Sequence, residues 1–273
     1  MAYGISIHIG LNKIDSAHYG EGNDLKGCIN DANAMHNIAK DKGFDESYVL
    51  TDKEGTYKNV TTQLTKAAGK LKKGDILLIS YAGHGSSVWD NNNDEKDGKD
   101  ETWCLYDRMI LDDELAEHWL KFKEGVRILM VSDSCHSGSV SRVMNSKGEL
   151  VEEKPVQGTR GIDLERGVAI FDKNKTTYDA TIPTNKNIAK GTDIKATVLL
   201  LSGCQDNQQS RDGKKNGLFT EKLLEVYDKG SFAGNYAGLL TGILKLMPAN
   251  QSPNYSVIGK RNSAFEAAKP FEK

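Results

Sequence analysis

Three runs of apolar residues end abruptly at small and polar residues, a pattern typical of strands that are buried on both faces of a parallel sheet. The three runs cover residues 76–82, 126–131 and 196–201. Further strands are predicted at 3–11, 48–50, 102–106 and 256–259. In open parallel sheets, ligands bind beside the carboxyl ends of the strands. The residues that follow the three runs are therefore candidates for a functional site.

Between the strands, apolar residues recur at intervals of three and four, which predicts amphipathic helices. The predicted helices cover residues 28–42, 56–71, 111–122, 218–227 and 237–246. Strands that alternate with helices along a whole chain indicate an α/β fold with a mostly parallel central sheet and helices on both faces. We expect this fold here.

Between residues 139 and 193 the composition shifts to Lys, Glu, Thr, Asn and Gly with scattered single hydrophobic residues, which favours a mobile linker. We therefore expect one domain built from two halves, 1–140 and 194–273, joined by a linker at 141–193. Because the first strand begins within five residues of the start, we expect no prodomain.

Composition and charge narrow the classes of partner. The chain has 36 Lys and Arg against 38 Asp and Glu, so its formal charge of -2 provides no basic field for nucleic acid. Its apolar runs are far shorter than the roughly 20 residues of a membrane-spanning helix, and the start lacks the features of an export signal. Four cysteines in such a chain are expected to be free thiols. We expect a cytoplasmic monomer that binds neither nucleic acid nor membrane.

The three long strands deliver reactive side chains to one edge of the predicted sheet. His84 follows the first, Cys135 the second and Cys204-Gln205-Asp206 the third. A neighbouring imidazole can take the proton of a thiol or stabilise the thiolate, so Cys135 and His84 suffice as a nucleophilic pair. The backbone N–H groups of small residues such as Gly85 can point at a developing oxyanion.

These motifs are similar to those of the metacaspases and their prokaryotic relatives. His84 precedes Cys135 by 51 residues, close to the roughly 50 of the caspase signature. The flanking segments, Tyr-Ala-Gly-His-Gly-Ser and Asp-Ser-Cys-His-Ser-Gly, resemble metacaspase motifs rather than those of animal caspases. Further motifs in family order extend the resemblance over residues 5–258. It implies the caspase fold and a cysteine endopeptidase that cuts protein or peptide substrates after Arg or Lys, with no cofactor required for the chemistry.

The resemblance also implies roles for individual residues. Cys135 is then the nucleophile and His84 the general base and acid, with Gly85 at the oxyanion. The family's pocket serine, two residues before the histidine, is Ala82 here, which leaves the preference between Arg and Lys open. The substrate side chain would be bound by Cys28, Asp31, Asp133 and Asp206, and the carboxylates of Asp31 and Asp133 suit a cation.

Calcium is a further expectation from the resemblance, as an activator. Asp100, Asp112 and Asp113 match the aspartates of calcium-dependent family members, and hard oxygen ligands suit this ion. However, those members carry another acid shortly after the nucleophile, where this chain has Ser139, Ser141 and Arg142, so calcium activation is left open. Residues 90–98 resemble an EF-hand only superficially, because the glycine is misplaced and no glutamate closes the loop.

A protease specific for basic residues would find candidate bonds in its own linker. Arg160 and Arg166 are each followed by Gly, and so is Lys190. We predict autocleavage at one of these three positions. Two other functions stay open: a catalytically silent signalling or scaffold module of the same fold, and a different cysteine acyl-transfer hydrolase that binds a cationic substrate.

Overall fold

The computed structural model describes residues 2–90, 98–134, 142–144, 150–152, 158–183, 193–205, 208 and 210–273. The described strands are β1 (Gly4–Gly10), β2 (Glu46–Thr51), β3 (Ile76–Ala82), β4 (Gly85–Trp89), β5 (Lys99–Cys104), β6 (Met109–Leu111), β7 (Arg127–Asp133), β8 (Arg142–Met144), β9 (Leu150–Glu152), β10 (Thr197–Ser202) and β11 (Asn254–Gly259). The described helices are α1 (Ser16–Tyr19), α2 (Cys28–Asp41), α3 (Tyr57–Lys70), α4 (Asp112–Leu120), α5 (Leu164–Lys173), α6 (Lys175–Asp179), α7 (Leu218–Tyr227), α8 (Tyr236–Leu244) and α9 (Ser263–Glu266).

The central sheet has six strands in the order β11-β10-β7-β3-β1-β2. All neighbours are parallel except β11, which runs antiparallel to β10. Ala82 of β3 pairs with Asp133 of β7, and Ser202 of β10 pairs with Ser132. The last residues of β3, β7 and β10 thus lie within one residue of the same level, as predicted from the three apolar runs. A small antiparallel sheet, β4-β5-β6, follows β3, and β8 pairs with β9.

Helices cover both faces of the sheet, because successive strand residues point to opposite sides and both sides are apolar. On one face, Ile79 and Ile128 belong to a core cluster with residues of α3, α4, α5 and α6. On the other, Leu78 and Leu129 pack with residues of α2, α7 and α8. The predicted α/β fold with a mostly parallel sheet is therefore confirmed.

The segment predicted as a linker contains helices that its composition did not predict. Within residues 158–183, α5 and α6 contribute Ile170, Phe171 and Tyr178 to the core cluster beside α3 and α4. Phe171 stacks on Tyr178 with ring centroids 4.5 Å apart. The division at 140 and 193 stays a prediction, but this part of the segment packs on the domain.

None of the helices in the described parts of the chain combines the length and apolarity needed to cross a membrane. The longest of them, α2 and α3, have 14 residues each.

Candidate active site

His84 lies in the short connection between β3 and β4, and its side chain is only 5% exposed. Its Nε2 atom lies 2.8 Å from the backbone carbonyl oxygen of Asn23. Since a carbonyl only accepts, Nε2 carries the hydrogen and donates it, and Nδ1 holds the free lone pair. Nδ1 is buried and has no hydrogen-bond partner among the described residues.

Burial is the main reason that the pKa of His84 falls to about 4. The hydrogen bond to Asn23 opposes this shift, whereas the positive charges of Arg160 and Arg166 add to it. The imidazole is therefore neutral at pH 7, which leaves it able to accept a proton at Nδ1.

Cys135 lies outside the described residues, and the chain approaches it through Ser134. Asp133 pairs with Ala82 across β7 and β3, and Cys135 and His84 each follow this pair by two residues. Ser134 is buried; its hydroxyl lies 2.9 Å from that of Ser132, and its carbonyl accepts a hydrogen bond from the Cys204 thiol.

Arg160 occupies a pocket beside this edge of the sheet, and its side chain has no exposed surface. One guanidinium nitrogen, Nη2, lies 2.6 Å from Asp31 Oδ2, and the other, Nη1, lies 3.1 Å from Asp133 Oδ2. A third carboxylate, Asp212, lies 2.9 Å from Nη2 through its Oδ1. The two predicted pocket carboxylates therefore meet at one arginine, which is itself one of the predicted autocleavage positions.

Polar neighbours orient both predicted carboxylates. Asp31 accepts hydrogen bonds from the Asn216 amide and the Gly217 N–H. Asp133 accepts from the hydroxyls of Ser210 and Thr220, each at 2.7 Å. Because these partners come from the loop after β10 and the first turn of α7, the pocket forms where that part of the chain meets the ends of α2 and β7.

Two glycines form walls of the pocket. A Cβ atom on Gly217 would lie 2.5 Å from the Arg160 guanidinium and from Asp133 Oδ2. One on Gly27 would lie 3.0 Å from Arg160 Nη2. Any larger residue at Gly217 would therefore fill space that the guanidinium occupies.

Charges within the pocket are strongly coupled. Burial raises the pKa of Asp31, and the Arg160 guanidinium opposes that shift. Burial works against the charge of Arg160, but the surrounding carboxylates raise its pKa well above the usual range. The surrounding carboxylates thus keep Arg160 in its charged form, whereas burial raises the pKa of Asp31 to about 7.

The backbone around Arg160 is extended and bonded on both sides. Its carbonyl oxygen accepts the Gly85 N–H at 3.0 Å, and its N–H donates to the Ser210 carbonyl at 2.9 Å. Gly158 accepts from the Asp212 N–H at 2.7 Å, and Ile162 donates to the Gly85 carbonyl at 2.8 Å. Residues 158–162 therefore lie as an added strand between β4 and the loop after β10, in a mode typical of bound peptides.

The two remaining predicted binding residues are Cys28 and Asp206. Cys28 is buried with Leu25 and Ala82 in a small apolar cluster, and burial raises the pKa of its thiol. Asp206 lies outside the described residues. We therefore assign no geometry to Asp206.

The three predicted calcium ligands lie near one end of the small sheet and α4. Asp100 and Asp113 are buried, and Asp112 is the first residue of α4. Across the described residues, no three His, Cys, Asp or Glu side chains are grouped so that they could hold a metal ion. These residues alone do not form a calcium site. Calcium activation therefore stays a prediction.

The other two predicted cleavage positions differ from Arg160. Arg166 lies within α5, and its Nη2 donates to the carbonyls of Tyr19 and Glu21. Lys190 lies outside the described residues. Of the three positions, Arg160 is the one that the structure describes in an extended segment beside His84.

Sequence reasoning missed Asn23, Ser210 and Asp212. Asn23 acts through its backbone carbonyl, which no residue type reveals. Asp212 and Ser210 follow the third apolar run by several residues, and only their position after a strand end gave any signal.

Comparisons with known proteins agree with this architecture. A family model described as the caspase domain matches residues 13–267. Metacaspase-1 of Mycosarcoma maydis is 29% identical, over 81% of this chain and 61% of that protein. Metacaspase-1 of Schizosaccharomyces pombe is 30% identical, over 88% of this chain and 63% of that protein. The chain thus spans about three fifths of the length of these curated relatives.

A solved structure is similar over nearly the whole chain. The crystal structure of protein GSU0716 from Geobacter sulfurreducens superposes with a TM-score of 0.85 at 39% identity, and the match covers 98% of each chain. The likeness therefore includes the segment that carries α5 and α6 as well as both halves of the central sheet.

Proposed function

Since the chain belongs to the caspase domain family, as its metacaspase-like motifs predicted, we propose that it is a cysteine endopeptidase that cleaves protein chains after arginine or lysine. The observation that carries the proposal is Arg160. Its guanidinium lies among three carboxylates while its carbonyl accepts a hydrogen bond from Gly85, next to His84. A substrate arginine bound in the same way would present its peptide bond to Cys135.

The reaction begins with proton transfer from the Cys135 thiol to Nδ1 of His84. The Asn23 carbonyl supports this step, because it keeps the hydrogen on Nε2 and leaves Nδ1 as the acceptor. The thiolate sulfur attacks the backbone carbonyl carbon of the bound arginine, and the carbonyl oxygen becomes an oxyanion. The Gly85 N–H stabilises that oxyanion; removing one such donor typically slows catalysis about 10² to 10³-fold.

The second half of the reaction regenerates the enzyme. The imidazolium of His84 gives its proton to the leaving amine, the C–N bond breaks and an acyl-thioester remains on Cys135. His84 then removes a proton from water, and the resulting hydroxide attacks the thioester carbonyl. The C–S bond breaks and releases the new carboxyl end, and the His84 imidazolium returns its proton to the Cys135 thiolate. Asp31 and Asp133 supply binding and orientation of the substrate's basic side chain throughout.

The same geometry favours autocleavage between Arg160 and Gly161. The segment is extended and its carbonyl already faces the Gly85 N–H. Arg166, in contrast, lies in a helix, where a peptide bond is not presented to a nucleophile. Because Arg160 fills the pocket, an uncut chain would have to release it before a second substrate binds.

The experiment that tests the proposal uses fluorogenic peptides ending in Arg, Lys or Asp, with calcium or with chelator. We expect the wild type to hydrolyse the Arg and Lys peptides and leave the Asp peptide intact. Cys135→Ala should lose at least about 10³-fold in kcat/KM, because the nucleophile and its base act as a unit. A wild-type protein that cleaves neither basic peptide in any condition would refute the proposal.

A further inference from the structure

Asp212 contributes the third carboxylate around the Arg160 guanidinium, and its contact differs from the other two. Asp31 Oδ2 accepts a hydrogen bond from Nη2. Nη1 donates to the backbone carbonyl of Asp133 and forms an ion pair with its carboxylate. Asp212 Oδ1 reaches Nη2 at 2.9 Å and also Nε at 3.3 Å. Among the described residues, Asp212 alone is hydrogen-bonded to Nε.

Nε is the atom of the arginine side chain that distinguishes arginine from lysine in this pocket. In an extended lysine, a methylene group takes the place of Nε, and the ammonium nitrogen lies where arginine has its central guanidinium carbon. Terminal donors of either side chain could reach Asp31 and Asp133, whereas a methylene offers Asp212 no hydrogen. Ala82, at the end of β3, adds no polar side-chain atom to the pocket.

Asp212 is also held in a fixed orientation. Its Oδ2 accepts the Lys26 N–H at 2.7 Å, and its Oδ1 accepts the Gly27 N–H at 3.1 Å. Its own N–H bonds to the Gly158 carbonyl, so the residue contacts both the bound strand and the beginning of α2. A carboxylate fixed by two backbone donors cannot turn to follow a shorter or differently placed cation.

We propose that Asp212 makes the pocket select arginine over lysine by accepting the hydrogen bond from Nε. The effect on cleavage rests on the proposed function, but the selectivity of the pocket does not. Charge-assisted hydrogen bonds of this kind typically correspond to about tenfold or more in affinity.

The first test compares Asp212→Asn with the wild type on matched Arg and Lys peptides. We expect the ratio of kcat/KM for Arg to that for Lys to fall about tenfold, mainly through the Arg peptide. The matched control is Asp75→Asn. Asp75 likewise holds two backbone N–H groups, those of Tyr3 and Lys72, but at the opposite end of β3. It should leave the ratio unchanged, since a merely structural loss lowers both rates together.

The second test needs no catalysis, because Arg160 is itself the occupant of the pocket. In the Cys135→Ala background, urea unfolding is measured for four proteins: the parent, Asp212→Asn, Arg160→Lys and the double variant. We expect Asp212→Asn to lower the midpoint more when residue 160 is arginine than when it has been changed to lysine. Equal effects in both backgrounds would overturn the proposal.

The two tests separate the two claims. A wild type that cleaves neither peptide, together with coupling between positions 160 and 212, refutes the proposed protease but supports the selectivity of the pocket. Cleavage of both peptides with an unchanged ratio in Asp212→Asn leaves the protease standing and overturns the role of Asp212.

Discussion

Arg160 is a cation with no exposed surface, so its position depends on its carboxylate partners. Removing one partner of a buried ion pair typically costs about 3–5 kcal/mol, because the other charge is left without compensation. Its side chain is therefore firmly fixed, and its carbonyl stays beside the Gly85 N–H. On the proposed mechanism, the bond that follows Arg160 is the one presented for attack.

We predict that the purified wild type cuts itself between Arg160 and Gly161. Mass spectrometry of the intact protein should find fragments that end at residue 160 and begin at residue 161. Cys135→Ala should stay whole, and Arg160→Gln should abolish this cut because glutamine cannot replace the cation in the pocket. Arg166→Gln is the matched control, and in this variant the cut between Arg160 and Gly161 should persist. A wild type that hydrolyses Arg peptides while its own chain stays intact would contradict the prediction.

Some residues of the site could be predicted from the sequence and others could not. The family resemblance identified His84 and Asp133, and each comes two residues after an apolar run, near the edge of the sheet where the carboxyl ends of parallel strands lie. Arg160 was predicted only as a basic residue before glycine. Its position between Asp31 and Asp133 depends on the path of a loop, which hydrophobic periodicity does not predict. Asp212 escaped prediction for the same reason, since its contacts join segments more than 180 residues apart.

Secondary-structure elements with long apolar patterns were predicted well, whereas several short ones, such as α5 and α6, were not. The central strands and α2, α3, α7 and α8 lie close to their expected bounds. Helix α5 has its buried residues at Gly167, Ile170 and Phe171, three and four residues apart, but over only ten residues of a polar segment. Averaged over 55 residues, that pattern was lost, and composition indicated a linker instead.

A cut after Arg160 would leave α5, α6 and β10 in the second fragment. The fragment that begins at Gly161 carries Phe171 and Tyr178 in the core, and β10, which lies between β7 and β11 in the sheet. Each fully buried apolar side chain contributes about 1.5–3 kcal/mol, so several together hold the fragment strongly.

We therefore expect the two fragments of the cut protein to stay associated. On size-exclusion chromatography the cut chain should elute with the uncut Cys135→Ala protein, and should separate into two species only in denaturant. Fragments that part in native buffer would contradict the packing of β10 and α5 against the first half.

At the scale of the whole molecule, burial strongly lowers the pKa of three histidines among the described residues. Burial lowers the pKa of His8 to about 3 and those of His84 and His118 to about 4. They lie in β1, after β3 and in α4, so they sample separate parts of the domain. Each stays neutral in the folded protein at a pH where the unfolded chain, with a histidine pKa near 6.5, takes up a proton.

This difference fixes the sign of the pH dependence. Between about pH 4 and pH 6.5 each of these histidines binds more protons in the unfolded chain, which lowers the free energy of unfolding as the pH falls. Asp31, whose pKa burial raises to about 7, binds a proton in the folded protein over the same range and opposes one of the histidines. Each group contributes at most about 1.4 kcal/mol per pH unit, so the three histidines against Asp31 give about 3 kcal/mol per pH unit. Above pH 6.5 the contribution of the histidines is fully present and constant. Glu46, with its pKa lowered to about 2 chiefly by Lys70, acts only at lower pH.

We predict that urea unfolding at fixed ionic strength gives a steep loss of stability from pH 6.5 to pH 5. The variant His8→Gln should reduce the slope by about 1.4 kcal/mol per pH unit, because one titrating group is removed, whatever the substitution does to stability at pH 7. The slope is the informative quantity, since a change in packing around Ser80, the partner of His8, changes the free energy of unfolding equally at every pH. A flat profile across this window would mean that these histidines take up protons as readily in the folded protein as in the unfolded chain.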